Sequence, residues 1–358
     1  MPFDPKQIKL KTKWDHPEVF HALVGDCCGA RLFAGSSDYG LHLFDPKKKE
    51  PVGRWNGHDN YVSAVTFAIT PKDDRFVITG GYDRKLVWWN EVNGQQVRSL
   101  AAHDGWVRGL VVNPDGTLIA SVGDDMLVKV WRTDTGELVR TLSGHAKLTP
   151  QGHVTALYAV AISPDGKHVA AGDRIGQVRV WELETGVERA TFEVPVLYTY
   201  DGKQRKRSIG GIRSLAFSPD GKRIAVGGIG QIGNVDGLEG PATVELWDWQ
   251  TPRKVFASEC EGHKALINAL VFHPEGTWLI GAGGGGDGGL LACWKADVPT
   301  PEPKTAEETA KEKDKAKSTP VPIHKIKTDG HLHGLVLHAD SGMLYTAGYH
   351  RLESWTLT

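Results

Sequence analysis

The chain has 358 residues, of which 40% are hydrophobic and 24% are charged, and its formal net charge is −1. These proportions are ordinary for a folded globular protein, so a wholly disordered chain is excluded. The near-zero net charge provides no global field for a polyanion or an anionic membrane. We therefore predict no membrane partner, and no nucleic-acid binding beyond a local patch.

The N-terminal segment and the cysteines predict the compartment. The chain begins MPFDPKQIKLKTKW, which has neither an apolar core of signal-peptide length nor a small-residue cleavage site. Cys27, Cys28, Cys260 and Cys293 stand at no metal-like spacing. Reduced thiols fit them best. We therefore predict a cytoplasmic protein that holds no cofactor.

Residues 5–16 are predicted to form a lone strand, because Ile8, Leu10, Thr12 and Trp14 alternate with lysines. The strand precedes a series of repeats and has no repeat of its own. It is therefore free to pair with strands from elsewhere in the chain.

From residue 18 onward the chain repeats itself, and the segment from His103 to Trp131 shows one copy clearly. It reads as three short strands, VRGLVV, LIASV and LVKVW, separated by turn-forming sequences. The aromatic residue that ends this unit recurs at spacings of 45, 42, 50, 66, 47 and 61 residues. Its positions are Phe44, Trp89, Trp131, Trp181, Trp247, Trp294 and Trp355. A period of roughly 42 residues with several strands per copy is typical of a propeller, in which small sheets stack radially.

Short motifs within the repeats identify a family. Gly-His pairs stand at Gly57-His58, Gly144-His145, Gly152-His153 and Gly262-His263, and a Trp-Asp pair at Trp247-Asp248. Along essentially its whole length the chain resembles the WD-repeat (WD40) β-propeller family. The resemblance implies an all-β, seven-bladed propeller that forms one domain over residues 1–358. It also implies that the strand at 5–16 completes the last blade and closes the ring, which removes exposed strand edges. The expected blades cover roughly 18–55, 61–100, 106–142, 153–193, 209–259, 265–327 and 332–358.

Two repeats carry the set of four residues that forms a hydrogen-bonded chain inside blades of the family. The sets are His58, Thr79, Asp83 and Trp89, and His103, Ser121, Asp125 and Trp131. The same residue types form catalytic triads, but a triad is needed once and these sets recur, so we interpret them as structural. The first and fourth blades have Ala34 and Ala171 at the hydroxyl position and are expected to depend on packing. For the fourth blade we predict that Gly152-His153, and not Gly144-His145, is the Gly-His pair of the repeat, and that an insertion precedes it.

Longer segments between the predicted strands are interpreted as loops. Tyr198–Gly211 and Gly228–Ala242 enlarge the fifth blade, and 298–322 is expected to be a flexible charged insertion. The two G-x-G-x-x-G matches, at Gly228 and at Gly281, lead into no helix, so loops are favoured over a dinucleotide site. The basic run Lys203, Arg205, Lys206 and Arg207 fits a solvated loop or a docking patch for acidic peptide, phosphate or nucleic acid.

Two groups of residues resemble metal-binding patterns, and both matches are weak. Asn234, Asp236 and Glu239 lack the full pattern of a calcium-binding loop. His331 and His333 fall on one side of a predicted strand but have no supporting carboxylate or cysteine. We therefore predict no bound metal.

In the family, the residue five positions after the Gly-His histidine lies on the rim of the central channel. Two positions earlier, Tyr61, Trp106 and His331 are expected beside it. Two arginines, two histidines and no acid predict a somewhat cationic mouth, which suits a carboxylate- or phosphate-bearing partner. The rim residues themselves are His21, Ser63, Arg108, Tyr158, Arg213, Asn268 and His333.

The leading interpretation is a non-catalytic scaffold that binds a protein or peptide, favouring an acidic one, through the top face and the channel mouth. It would act as a monomer or as a subunit of a larger complex. The alternative is a propeller enzyme or a small-ligand sensor that uses the same mouth. Against the alternative, the chain contains no H-E-x-x-H, G-x-S-x-G, Walker or C-x-x-C pattern.

Overall fold

The computed structural model describes residues 3–48, 50–203, 205–233, 239–300 and 322–357. The predictions for Asn234, Asp236 and residues 301–321 of the charged insertion lie outside these ranges. Within them the chain is all-β, and its helical content is three short 3-10 turns at Pro5–Gln7, Pro195–Leu197 and Ala339–Ser341. None of the described helices is long and apolar enough to cross a membrane.

The strands follow the predicted repeats closely. The first eight are β1 (Lys9–Gly25), β2 (Leu32–Ser36), β3 (Gly40–Phe44), β4 (Pro51–Asn56), β5 (Val62–Ile69), β6 (Arg75–Gly81), β7 (Lys85–Asn90) and β8 (Gln96–Ala101). The next eight are β9 (Val107–Val112), β10 (Leu118–Gly123), β11 (Val128–Arg132), β12 (Leu138–Leu142), β13 (Leu157–Ile162), β14 (His168–Asp173), β15 (Gln177–Glu182) and β16 (Glu188–Glu193). The last twelve are β17 (Tyr198–Asp201), β18 (Arg207–Gly210), β19 (Ile212–Phe217), β20 (Arg223–Ile229), β21 (Pro241–Asp248), β22 (Arg253–Lys264), β23 (Leu266–Phe272), β24 (Trp278–Gly285), β25 (Gly288–Lys295), β26 (His324–Thr328), β27 (Leu332–His338) and β28 (Met343–Thr356).

These strands form a propeller arrangement of antiparallel sheets. Five sheets have four strands each, in chain order: β5 to β8, β9 to β12, β13 to β16, β19 to β22 and β23 to β26. A sixth sheet has six strands in the order β27-β28-β1-β2-β3-β4, and β17 and β18 form a separate two-stranded ribbon. The described chain therefore has six large sheets, and the prediction of seven separate ones is wrong.

The sheet count differs because β1 is a single long strand that pairs with both β28 and β2. The segment 5–16 was predicted to be separate from the strand that begins at residue 18, but β1 runs through both. Its first half pairs with β28, as Trp14 with Leu352, and its second half pairs with β2, as Leu23 with Ala34. No glycine stands between the two halves to break the extended backbone, and only a register shift between Asp15 and Val19 separates the two pairings.

Each four-stranded sheet is a meander, so its connections alternate between two ends. The turn between β6 and β7 lies at the same end as the links between successive sheets, and the turns β5–β6 and β7–β8 lie at the other. We call the first end the mouth face and the second the opposite face. The hydrophobic core lies between sheets. Ile78 and Trp88 of one sheet, for example, pack with Ile119 and Trp131 of the next.

Candidate functional site

The seven side chains predicted for the channel rim converge on one pocket at the mouth face, with a volume of about 240 Å³. We call it the mouth pocket. An eighth residue, Tyr82, joins them although the sequence did not point to it. The lining residues are His21, Ser63, Tyr82, Arg108, Tyr158, Arg213, Asn268 and His333.

A β-bulge places each of the seven predicted side chains. In β5, Val62 pairs with Gly81 and Ala64 pairs with Gly80, so Ser63 is skipped by the ladder. A bulged residue interrupts the alternation of the strand and turns its side chain in a new direction. Repeated in seven strands, the bulge turns these side chains toward a common pocket. Equivalent register shifts skip His21, Arg108, Tyr158, Arg213, Asn268 and His333.

Three of these residues brace neighbouring strands. Ser63 Oγ donates to the carbonyl of Val107 at 2.6 Å, and Asn268 Nδ2 donates to the carbonyl of Leu332 at 2.9 Å. His333 Nδ1 lies 2.9 Å from the carbonyl of Phe20 and is the donor of that bond. These polar groups therefore stabilise the mouth itself and are less available to a partner.

Arg108 is held by an acid that sequence reasoning missed. Its Nε donates to Asp124 Oδ1 at 2.7 Å and a terminal nitrogen donates to Asp124 Oδ2 at 3.1 Å, while the other donates to Tyr82 Oη at 2.9 Å. The expectation of a mouth without acids is therefore wrong. Asp124 and Tyr82 each precede the aspartate of a four-residue set, Asp125 or Asp83. That position is the signal that could have found them.

Arg213 is the cation of the mouth pocket that remains unpaired. Its guanidinium carbon lies 4.0 Å from the ring centroid of Tyr158. Its Nε is buried and has no hydrogen-bond partner, and none of the described residues forms an ion pair with it. Burial lowers the pKa of Arg213, yet an arginine side chain stays protonated in proteins. A charged donor is therefore held at the pocket with unused hydrogen-bonding capacity.

His21 and His333 form a stacked pair, with ring centroids 5.7 Å apart and planes 5° from parallel. Burial, and then the proximity of His333, lower the pKa of His21 to about 4. Burial also lowers the pKa of His333. Both rings are therefore neutral at physiological pH, and His21 Nε2 is buried without a partner.

Aromatic rings continue from this pair in both directions around the mouth. Tyr61 contacts His21 at 5.4 Å and Tyr82 at 5.6 Å, and Tyr82 stacks on Trp106 at 4.1 Å. On the other side, the ring of Tyr349 lies 6.4 Å from that of His333 and 5.6 Å from that of His331. We call the series Tyr349, His333, His21, Tyr61, Tyr82 and Trp106 the aromatic arc. The sequence pointed to all of these except Tyr82 and Tyr349.

The basic run stands on a braced ribbon, so the prediction of a loop over Tyr198–Gly211 is wrong. Lys203, Arg205 and Lys206 lie in the turn between β17 and β18, and Arg207 begins β18. The ribbon is tied on one side by Tyr198 Oη to Gln151 at 2.5 Å and on the other by Gln231 Nε2 to the carbonyl of Tyr198 at 3.2 Å. The basic side chains are therefore carried on a supported element at the mouth face.

The second glycine-rich motif is also ordered structure. Gly281 to Gly285 lie inside β24, so the prediction of a loop is wrong there. A Cβ at Gly283 would collide with the carbonyl of Leu266 on β23. Glycine is therefore required by close packing of two strands, and the motif has no phosphate-binding geometry.

The two four-residue sets lie inside their sheets. His58 Nδ1 donates to Asp83 at 3.0 Å, His58 Nε2 accepts from Thr79 Oγ1 at 2.7 Å, and Trp89 Nε1 donates to the same oxygen at 2.9 Å. His103, Ser121, Asp125 and Trp131 make the same bonds at 2.8 to 2.9 Å. Burial alone would raise the pKa of Asp83, but the hydrogen bonds from His58 and backbone N–H groups hold it below its usual value. The same balance lowers the pKa of Asp125.

The β13–β16 sheet corrects two further predictions. His145 provides the imidazole instead of His153, and its Nδ1 bonds the buried carboxylate of Asp173 at 2.7 Å. This sheet therefore does not depend on packing alone. Because Ala171 stands at the hydroxyl position, His145 Nε2 is buried without a partner. In the first repeat, His42 bonds Asp38 at 3.0 Å, which corrects the same expectation there.

The cysteines and histidines offer no metal centre within the described ranges. All four cysteines are free, Cys27 and Cys28 being exposed and Cys260 and Cys293 buried. Burial raises the pKa of Cys260 and of Cys293 to about 12, so both remain protonated thiols. No group of three potential ligands in these ranges is placed to hold a metal ion.

Comparison with known proteins places the repeats in context. A family model described as "WD domain, G-beta repeat" matches residues 49–90, 94–132, 136–182, 196–231 and 254–295, together more than half of the chain. The nuclear distribution protein PAC1 of Arthroderma otae is 27% identical over 268 residues, covering 69% of this chain and 53% of that protein. The nuclear distribution protein nudF of Aspergillus terreus is 31% identical over 134 residues, 32% of this chain and 30% of that protein. The protein hir1 of Schizosaccharomyces pombe is 30% identical over 115 residues, 32% of this chain and 12% of that protein. The chain thus spans about half the length of the first of these relatives and less of the other two.

Proposed function

Because the chain belongs to the WD-repeat family, we propose that it is a non-catalytic scaffold that binds a protein or peptide partner through the mouth face. Family membership alone does not fix a function, so the proposal must rest on the site. The mouth pocket holds neutral histidines, a paired arginine and an unpaired arginine, which are groups suited to recognition. None of them forms the hydrogen-bonded pair of nucleophile and base that covalent catalysis uses.

Arg213 carries the proposal that the partner is acidic. Holding an unpaired charge in a partly buried position costs free energy, which a pairing carboxylate or phosphate would recover. The guanidinium presents several N–H groups in a planar fork, and such groups bind a carboxylate in a bidentate manner. Arg108 contributes less than the sequence suggested, since Asp124 already occupies its fork.

The size of the mouth pocket supports a peptide over a small ligand. Sites for drug-sized molecules usually enclose about 300 to 1,000 Å³. At about 240 Å³ the mouth pocket suits a single side chain that enters from a partner bound on the face above it. The small-ligand sensor therefore has less support than the scaffold.

Selection from a random dodecapeptide library displayed on phage tests this function. We expect the immobilised protein to enrich peptides that contain Asp or Glu, and a synthetic consensus peptide to bind more weakly in high salt. Arg213→Gln should weaken that peptide at least about tenfold, since a charge-assisted hydrogen bond contributes about 1.5 to 3 kcal/mol.

Arg132→Gln is the matched control, because Arg132 is an exposed arginine on the opposite face. It should leave affinity unchanged. Failure to enrich any peptide, or equal binding by wild type and Arg213→Gln, would overturn the proposed site.

We further propose that the six-stranded sheet acts as two blades, so that the domain, over residues 1–358, has seven blades and is closed by the first half of β1. In support, β1 pairs with β28 from Lys9 to Val19 and with β2 from Phe20 to Gly25. The buried side chains of Ile8 and Trp14 pack in different inter-sheet clusters, the first with Trp355 and the second with Leu352.

Deletion of residues 1–14 tests ring closure. It would remove the buried Ile8 and Trp14 and expose an edge of β28, and a buried Trp or Ile side chain is worth about 2 to 5 kcal/mol. We expect thermal unfolding at least about 5 °C lower or association through the new edge, seen by size exclusion. A monomeric truncated protein that melts within about 2 °C of full length would contradict closure.

We also propose that the protein acts in the cytoplasm, as a monomer or as a subunit of a larger complex. The four free thiols support a reducing compartment. Fractionation of cells with an antibody against the protein, followed by size exclusion of the native extract, would test both statements.

A further inference from the structure

The aromatic arc is an unbroken series of ring contacts around one side of the mouth pocket. From Tyr349 to Trp106, each ring centroid lies between 4.1 and 6.4 Å from the next. Tyr39 adds a further ring beside Tyr61, at 5.8 Å. Offset and edge contacts in this range are favourable, so the rings support one another as a fixed surface.

The arc also concentrates the exposed aromatic residues of the protein. Four tyrosine or tryptophan side chains are exposed among the described residues, and all four belong to the arc or touch it. They are Tyr39 at 45%, Tyr61 at 38%, Trp106 at 42% and Tyr349 at 48%. Tyrosine and tryptophan are enriched in binding hot spots, and contiguous exposed apolar surface marks interaction sites. This clustering points to a partner and not to scattered surface residues.

The charges around the arc restrict the partner's chemistry. The guanidinium of Arg108 already lies over the rings of Tyr82 and Trp106, at 5.0 and 4.7 Å. Arg213 stands beyond Tyr158, which Arg108 also faces at 5.3 Å. A cationic ligand such as a methylated lysine would meet two arginines there, so the arc favours an uncharged ring with a carboxylate nearby.

We propose that the aromatic arc docks an aromatic side chain of an extended acidic peptide segment, whose carboxylate pairs with Arg213. The inference rests on the proposed function, and it adds an aromatic residue to the acidic residue that the mouth pocket is proposed to bind. The contacts that link Trp106 to Arg213 through Arg108 and Tyr158 place the two within about 14 Å. About four residues of extended peptide span that distance. An aromatic residue that docks at the Trp106 end of the arc and the acid therefore lie within about four positions of each other in the partner.

The dodecapeptide library tests this spacing directly. Peptides selected on the wild-type protein should carry Phe, Tyr or Trp within about four positions of an Asp or Glu. In a fluorescein-labelled consensus peptide, replacement of the aromatic residue by serine should raise the Kd at least about tenfold by fluorescence anisotropy. Replacement of the aromatic residue by proline should also weaken binding, because the proline ring has no aromatic face to stack on the rings of the arc.

Variants of the arc provide the reciprocal test. Tyr61→Ser with Trp106→Ser should raise the Kd of the consensus peptide at least about tenfold without loss of the folded state, since both side chains are exposed. Tyr39→Ser is a milder second variant, with an expected rise of about threefold, in case the double variant unfolds. Val92→Ser with Leu138→Ser is the matched control, because both residues are exposed apolar side chains outside the mouth face.

The outcomes separate this inference from the proposed function. Selected peptides that are acidic but lack aromatic residues, or arc variants that bind within about twofold of wild type while Arg213→Gln does not, overturn the arc and leave the scaffold function standing. Enrichment of proline in place of aromatic residues also overturns the inference. If neither the arc variants nor Arg213→Gln affect binding, both proposals fail.

Discussion

The four-residue sets inside the sheets give their buried polar groups hydrogen-bond partners, whereas some buried polar groups at the mouth have none. In the β5–β8 sheet, the imidazole of His58 uses both nitrogens, and Thr79 Oγ1 is shared by that imidazole and the indole of Trp89. At the mouth, His21 Nε2 and Arg213 Nε are buried without partners. Satisfied buried groups stabilise a fold, whereas unsatisfied ones destabilise it by about 1 to 3 kcal/mol each.

The difference teaches which residues to vary for stability and which for binding. A variant inside the sheets breaks bonds that exist in the isolated protein, so it should act on unfolding. A variant of Arg213 removes hydrogen-bonding capacity that only a partner would use, so it should act on affinity. The β13–β16 sheet is intermediate, because His145 has a carboxylate partner on one nitrogen and none on the other.

The largest expected effect follows from removal of a carboxylate inside the sheets. Asp83→Ala and Asp125→Ala should each lower the free energy of unfolding by about 1 to 3 kcal/mol, because an imidazole N–H is left buried without an acceptor. Urea unfolding measures the loss, and peptide affinity at low temperature should be unchanged. Asp115→Ala, in an exposed turn, is the control. Loss of affinity with an unchanged unfolding midpoint would show that these aspartates serve binding instead.

A smaller effect, of opposite sign, is expected where the sheets leave a nitrogen unpaired. Ala171→Ser should place a hydroxyl between His145 Nε2 and the indole of Trp181, as Ser121 does between His103 and Trp131. We expect the unfolding free energy to rise by about 0.5 to 1.5 kcal/mol. Ala170→Ser, on the other face of the same strand, offers no such partner and should destabilise. Equal effects of the two serines would mean that the missing hydroxyl is not the reason for the unpaired nitrogen.

The pH dependence of stability distinguishes the two regions in a further way. The pKa of His21 is about 4 in the folded protein and near 6.5 when unfolded, so the unfolded chain binds the extra proton between these values. Stability from this group is therefore complete above pH 6.5 and falls as the pH drops toward 4. As the pH is lowered from 7.5 to 5, the free energy of unfolding of His21→Phe should therefore rise relative to that of wild type.

The aspartates inside the sheets behave differently. Their folded pKa lies below the usual value, so their contribution is present above about pH 4 and is lost only as the pH falls further. Titration of these two carboxylates should therefore contribute no change in the free energy of unfolding between pH 7.5 and pH 5. A pH-independent difference for His21→Phe would show that His21 is not held neutral at the mouth.

The sequence predicted the features that depend on periodicity. The repeat spacing located the strands, and counting five residues from the Gly-His position of each repeat, which is occupied by Ser208 and Thr328 in two of them, located seven of the eight residues in the mouth pocket. Such counting succeeds because a bulge recurs at the same position in every inner strand. The position of a residue in the repeat therefore determines the direction of its side chain.

Features that depend on contacts across the fold were not predictable in this way. The bond between Arg108 and Asp124 joins β9 to the turn that follows β10, and counting within the repeat places the two residues without showing that they meet. The same holds for the choice of His145 over His153, which depends on where Asp173 is buried. The seven separate sheets became six because β1 continues through Pro17, a residue without a backbone N–H, with only a register shift between Asp15 and Val19.

The smallest effect is expected from the basic ribbon at the mouth face. Replacement of Lys203, Arg205, Lys206 and Arg207 by serine should slow association of an acidic peptide about threefold and leave dissociation nearly unchanged. Charges at the rim of a site steer the encounter, whereas desolvated contacts in its centre set the lifetime of the complex. Stopped-flow kinetics at low and high salt measure both rates, and the difference between variant and wild type should shrink in high salt because charges are screened.

Lys47→Ser with Lys48→Ser, on the opposite face, removes exposed lysines far from the mouth and should leave both rates unchanged. If the ribbon variant instead sped dissociation as strongly as Arg213→Gln, the ribbon would contact the bound partner, and the division between an attracting rim and a binding mouth would have to be redrawn.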